Sequence, residues 1–236
     1  MSSTNQLGLP LVQPAQAQKH VTVNEAMARL DGLVMLSLAS RSVALPPAAI
    51  ADGACYGVPS GAVNEWSGHD GRIAIGANGG WDFADPKRGW RATILDEGVQ
   101  ALHDGSDWRA GMVTLSPSNA GLAFGVAETD HSISAGTVSL TTAIIPANSV
   151  VIGATARVVT AITGSLSSWS LGNPGAVGRY GSGLGLGAGS FARGVLAQPT
   201  AFYSPEAMQL DAAGGNFAGG SVRIAVHFMQ IALPDQ

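Results

Sequence analysis

Apolar and polar positions change period along the chain. Between residues 19 and 38, Val23, Ala26, Met27, Leu30, Leu33, Val34 and Leu38 recur at helical spacing. Thr22-Val23-Asn24-Glu25 fits a capping box, in which the Thr hydroxyl and the Glu carboxylate satisfy free N–H groups at a helix start. The pattern predicts one helix of about four turns with a single apolar stripe, broken at Asp31-Gly32 and Ser37. Such a helix is too short to stand alone. Its stripe must be buried on its own module or against copies of itself. Before it, Pro10 and Pro14 predict an extended arm over residues 7–18, because proline fixes its own φ and moves its predecessor out of the α region.

After a Pro/Ala-rich linker at residues 40–51, the period shortens to two. Short strands are predicted at 72–75, 90–95 and 99–102, between the turn dipeptides Asp52-Gly53, Asp70-Gly71 and Asp104-Gly105. Trp66, Trp81, Trp90 and Trp108 fall in this stretch and are expected to form its core. Residues 113–136 read as a polar connector. Beyond it, residues 149–163 are rich in β-branched side chains. In residues 221–233, Val222, Ile224, Val226 and Phe228 alternate with Arg223, Ala225, His227 and Met229. Breaks at Asn148, Gly164, Pro174, Pro199 and Gly214-Gly215 give the strand spacing of an all-β sandwich.

The fold class expected is mainly β. It comprises an arm and helix over 1–45, a small Trp-rich antiparallel module over 46–112, the connector 113–136, and a jelly-roll-like antiparallel sandwich over 137–236. Charge supports a boundary near Gly136. Residues 137–236 hold three acids and four bases, whereas residues 1–136 hold thirteen acids and eight bases.

Only 12% of residues are charged and 32 of 236 are glycine. So little charge suggests that much surface lies between subunits or inside a large particle. A net charge of −4 argues against a nucleic-acid partner. Cys55 is the single cysteine, so no intrachain disulfide forms. No secretory leader is expected from the first ten residues, and no run of about 18 apolar residues predicts membrane insertion.

Few residues suggest chemistry. The glycines from Tyr180 to Gly189 alternate with period two, which suits close backbone packing. No βαβ context supports a dinucleotide loop there. His69-Asp70, His103-Asp104 and Asp130-His131 are explained by turn formation, with each His an exposed neighbour of the turn. Glu206 and Asp211 would need a turn to converge as a catalytic carboxylate pair. No enzyme activity, cofactor or metal is therefore expected. Aromatic rings remain: Trp169, Tyr180, Phe191, Phe202 and Tyr203 stand in a domain of small residues. A sugar needs an apolar ring face and planar donors nearby. Trp169, Arg179, Tyr180 and Tyr203 are the candidate carbohydrate-binding residues, with Trp169 foremost because polar residues flank it. Lys19, His20 and Asn24 at the helix start are candidates for attachment to a larger assembly.

The segment LGLP-x3-PAQAQKH-x-TVNEA-x2-RLD at residues 7–31 resembles the opening of an alphaproteobacterial prophage and gene-transfer-agent family. That family is a domain of unknown function found in tail-fibre and head-spike proteins. The resemblance continues through Gly80-Trp81, Gly89-Trp90, Asp96-Glu97-Gly98 and Asp107-Trp108, covering about the first 110 residues. It implies a homotrimeric component of a phage-like virion, contacting other capsid, spike or tail proteins through its N-terminal part. The C-terminal sandwich would then bind host surface polysaccharide. A purely structural connector and a capsule depolymerase are the alternatives.

Overall fold

The computed structural model describes residues 3–12 and 19–235, with the side chains of Lys19 and His20 outside that description. Pro14 of the expected arm also lies outside the described residues. The chain forms two compact units, Met1–Met112 and Val113–Gln236.

The first unit contains helix α1 (Lys19–Leu33) and a seven-stranded sheet. Its strands are β1 (Ser37–Leu38), β2 (Cys55–Gly57), β3 (Ile73–Ala77), β4 (Gly80–Ala84), β5 (Arg91–Ile94), β6 (Val99–His103) and β7 (Trp108–Ala110), in the order β4-β3-β2-β1-β5-β6-β7. The three predicted strands are β3, β5 and β6. Two expectations change. The helix begins before the capping box and stops at Leu33, where Met35 adopts a left-handed φ of 55°. Chain beyond it enters the sheet, because Leu36 and Leu38 are core residues. Strand β1 is central and parallel to both β2 and β5. Residues 1–45 and 46–112 are therefore one unit, and its sheet is mixed.

The two faces of this sheet have different cores. Leu36, Leu38, Cys55, Ile73, Ile75, Ile94 and Trp108 pack on one. On the other, Trp66 packs with Val58, Ala62 and Ala74, and with Tyr56 and Trp81. Ring centroids in the Tyr56–Trp66–Trp81 cluster are 5.2–5.8 Å apart and tilted or edge-on, the arrangement ring quadrupoles favour. The four tryptophans expected to form one core therefore divide, Trp66 and Trp81 on one face and Trp90 and Trp108 on the other. Asn78 and Gly79, with φ of 52° and 74°, close the β3–β4 hairpin as a two-residue turn.

The second unit has two antiparallel sheets. Its strands are β8 (Met112–Leu115), β9 (Gly121–Ser132), β10 (Val138–Ile145), β11 (Ser149–Gly164), β12 (Ser168–Asn173), β13 (Ala176–Leu184), β14 (Phe191–Phe202), β15 (Glu206–Ala213) and β16 (Phe217–Ala232). One sheet has the order β10-β15-β12-β13, the other β14-β11-β16-β9-β8. Trp169, Leu171, Met208 and Leu210 of the first sheet share a core with Val151, Val158, Val222, Ile224 and Val226 of the second. The alternation read in residues 221–233 holds, with Val222, Ile224 and Val226 inward.

Residues 113–136 are not a connector. Within them β9 pairs with β16 over twelve residues, Gly121 to Ser132. Three of its inward positions, Ala123, Gly125 and Ala127, are small. A Cβ on Gly125 would lie 2.4 Å from the Phe228 ring, so that ring fills the space a larger residue would need. The alternating glycines also divide: Gly181 and Gly183 lie on β13, while Gly185, Gly187 and Gly189 lie in the following loop. The tight approach is at Gly194, where a Cβ would fall 2.2 Å from the Tyr180 carbonyl oxygen.

Trp169 has 0% of its surface exposed and its Nε1–H donates to the Gly185 carbonyl at 3.0 Å. Trp169→Ala is expected to lower unfolding free energy by about 3–5 kcal/mol. Tyr203→Ala, on the surface, should change it by less than about 0.5 kcal/mol. Denaturant titration of the two variants checks both values.

Candidate functional site

Helix α1 presents its polar face to its own unit. Asn24, Ala28 and Asp31 lie on one face by their i, i+4, i+7 spacing. The Asp31 carboxylate accepts hydrogen bonds from the Thr4 hydroxyl at 2.8 Å, the Leu7 N–H at 2.6 Å and the Gln6 N–H at 2.8 Å. The Asn24 amide exchanges two hydrogen bonds with Val12, at 2.9 and 3.1 Å. Asn5 and Gln6 side chains donate to the Asp52 and Gly53 carbonyls, each at 2.7 Å. Residues 3–10 are consequently not extended. Ser3 bridges Pro10, the Thr4 N–H donates to the Leu9 carbonyl, and Gly8 has a φ of 65°. Next to Asp31, Gly32 lets the helix approach β3: a Cβ there would lie 2.9 Å from Ile75 Cγ2. The Asp31-Gly32 break in the stripe is the docking point of the helix.

Burial alone would raise the Asp31 carboxyl pKa. Hydrogen bonds from the Gln6 and Leu7 N–H groups, the Thr4 hydroxyl and the Asn5 backbone outweigh it and hold the group below its ordinary value. Burial also pushes the Cys55 thiol up to about 11, aided by nearby Asp31 and opposed by the Gln6 amide.

The apolar stripe divides: Leu33 packs on the core, Leu38 is buried in β1 and Met27 is half-buried, while one edge of the stripe stays at the surface. Val23, Leu30 and Val34 are exposed, and Met35 has 83% of its surface accessible. Met35 is also a bulky residue in left-handed backbone, a strained conformation. Asn24, expected as an attachment residue, is engaged with the arm through Val12. Lys19 and His20 begin the helix.

A cleft of about 710 Å³ on the same unit offers little free charge. Its Arg41 is held by Glu97 at 2.7 and 2.9 Å and by the Trp108 carbonyl. Arg72 is held by Asp85 at 2.7 and 2.9 Å. The His-Asp-Gly turns are structural, but not as expected at His103. That ring is 2% exposed, packs edge-on against Trp108, and accepts the Gly105 N–H at Nδ1. Burial lowers its pKa, opposed by Asp104 and Asp107.

The carbohydrate candidates separate. Trp169 and Tyr180 both belong to the sandwich core, contrary to the expectation that Trp169 is exposed. Burial raises the Tyr180 phenol, moderated by Arg179. Arg179 precedes Tyr180 on β13 and is half-buried on the opposite side. Tyr203 follows β14 and is 83% exposed. Glu206 and Asp211 sit on opposite faces of β15, about 17 Å apart along the strand. Glu206 instead accepts the Asn173 amide at 2.5 Å.

The family model described as "Protein of unknown function (DUF2793)" matches residues 23–109. No curated protein matches the chain. Among solved structures, a chain titled "Cyanophage Pam1 capsid asymmetric unit" is 22% identical with a TM-score of 0.34, covering 45% of this chain and 84% of that one. The DUF2793 match falls inside the first unit and includes most of α1.

Because the folded Asp31 pKa is depressed, its stabilisation is present above the ordinary value of 3.8 and is lost as pH falls through the lower folded value. Asp31→Asn should release residues 3–12 at neutral pH, at a cost of about 1–3 kcal/mol. Protease nicking of the arm should be faster in the variant at pH 7. Wild type and variant should converge once the pH drops below the folded carboxyl pKa.

Proposed function

We propose that the chain is a spike or fibre component on the surface of a phage-like particle. The first unit assembles copies of the chain and attaches them, and the sandwich contacts host surface polysaccharide. The observation that carries this reading is the exposure of Val23, Leu30 and Val34 along and just beyond α1. Val23, Leu30 and Val34 carry no charge, and the stripe they form is complementary to the same stripe on another copy. A homotrimer brought together in this way would present several sandwiches at once, so weak sugar contacts would add through multivalency. The opening motif at residues 7–31 and the DUF2793 match over residues 23–109 support placing attachment in this unit.

A structural connector without a ligand is the second reading. It is favoured by the burial of Trp169 and Tyr180, which removes two of the four sugar-binding candidates.

Leu30→Asp with Val34→Asp should shift the full chain from an oligomer to a monomer by sedimentation, while the unfolding midpoint of the monomer stays close to that of wild type. An unchanged mass would remove α1 from the interface. Purified wild-type protein should compete with particles for encapsulated cells, and absence of competition favours the connector.

A further inference from the structure

The outer face of the five-stranded sheet carries a trough not yet assigned a role. Cross-strand register puts Phe191, Arg157, Arg223 and Asp130 in one row across β14, β11, β16 and β9. The adjacent row holds Arg193, Thr155, Ala225 and Glu128. These positions alternate with buried Ala192, Ala156 and Ile224, so they project away from the core. Thr155 and Ala225 are small and form the floor of a cavity of about 330 Å³. That is at the lower end of small-ligand clefts, roughly 300–1,000 Å³, and suits one or two sugar rings.

Its charges are unevenly matched. Arg157 and Arg223 are directly opposite each other, an arrangement unfavourable for like charges. Asp130 neutralises Arg223 through two hydrogen bonds of 2.7 Å, with Glu128 a further 3.8 Å away. Arg157 and Arg193 form no ion pair among the described residues. They are diagonal neighbours, which places their Cα atoms about 7–8 Å apart. Between them, on the sheet edge, Phe191 is 60% exposed, and the Arg157 guanidinium lies 6.0 Å from its ring centre.

We propose that this trough binds carboxylated sugars of an acidic polysaccharide, with Arg157 and Arg193 gripping carboxylates and Phe191 stacking on a ring face. The proposal rests on the reading of the chain as an adhesin and names its ligand class and site. The guanidinium fork matches a carboxylate bidentately, a recognition that a neutral sugar cannot supply. The apolar face of a pyranose suits the exposed phenyl ring, and the Thr155 hydroxyl, 3.2 Å from His227 Nε2, is placed for a sugar hydroxyl. Because the site is open to solvent, binding weakens as salt rises.

The test is titration calorimetry of the full chain with oligogalacturonate and with polysialate, using a neutral cello-oligosaccharide as control. Wild type should bind at least one acidic probe and not the neutral one. Arg157→Gln with Arg193→Gln should weaken that binding at least tenfold and remove most of its salt dependence, with an unchanged unfolding midpoint. Phe191→Ala should weaken it several-fold while keeping the salt dependence. Failure of wild type to bind either acidic probe, equal binding of the neutral control, or wild-type affinity in the double variant would each overturn the site. Cell binding separates the two readings. If the double variant still coats encapsulated cells as wild type does, the trough falls and the adhesin reading stands. If wild type binds acidic probes through the trough but coats no cells, the trough stands and the adhesin reading falls.

Discussion

A buried carboxylate decides which way helix α1 faces. Asp31 collects three hydrogen bonds from residues that precede it by about 25 positions, and no water is needed to satisfy it. Turning the helix to bury Val23, Leu30 and Val34 would carry Asp31 towards solvent and strand the Thr4, Gln6 and Leu7 donors. Breaking a buried charged network costs more than burying three partly exposed apolar side chains would gain. The helix therefore keeps its polar face on the sheet. Val23, Leu30 and Val34 are left at the surface, where the proposed assembly would cover them.

Much of the fold was legible because its strands are either period-two or short apolar runs buried on both faces, as β3 is. Strands β3, β5, β6, β11 and β16 all carry β-branched residues in runs bounded by turns. Strand β9 was not, since Ala123, Gly125 and Ala127 on its inward face are small, and the bulk above Gly125 comes from Phe228 on another strand. Asn78-Gly79 is as strong a hairpin signal as the Asp-Gly dipeptides, and it closes the β3–β4 turn. Helix orientation could not be read from the stripe alone, because the partners of Asp31 are non-local.

The sugar-binding candidates show the same limit. Trp169 looked exposed because serines flank it, yet Ser168-Trp169-Ser170-Leu171 is itself a period-two strand with Trp169 and Leu171 inward. Local polarity described its neighbours, and the alternation described Trp169. By contrast the trough needs Arg157, Phe191, Arg193 and Arg223 from three strands. Phe191 and Arg193 share a face by their spacing, but only sheet register brings Arg157 and Arg223 beside them. A shift of one residue in β14 would bury Phe191 and Arg193 and dismantle the trough.

The proposed assembly makes α1 an interface rather than a surface helix of an isolated module. Amide hydrogen exchange measured on the chain at high dilution and again in its assembled form tests it directly. Assembly is predicted to add protection to residues 21–35 while the outer strands β9 and β14 remain unchanged. Protection appearing in the sandwich, with residues 21–35 exchanging at the same rate in both states, would contradict it.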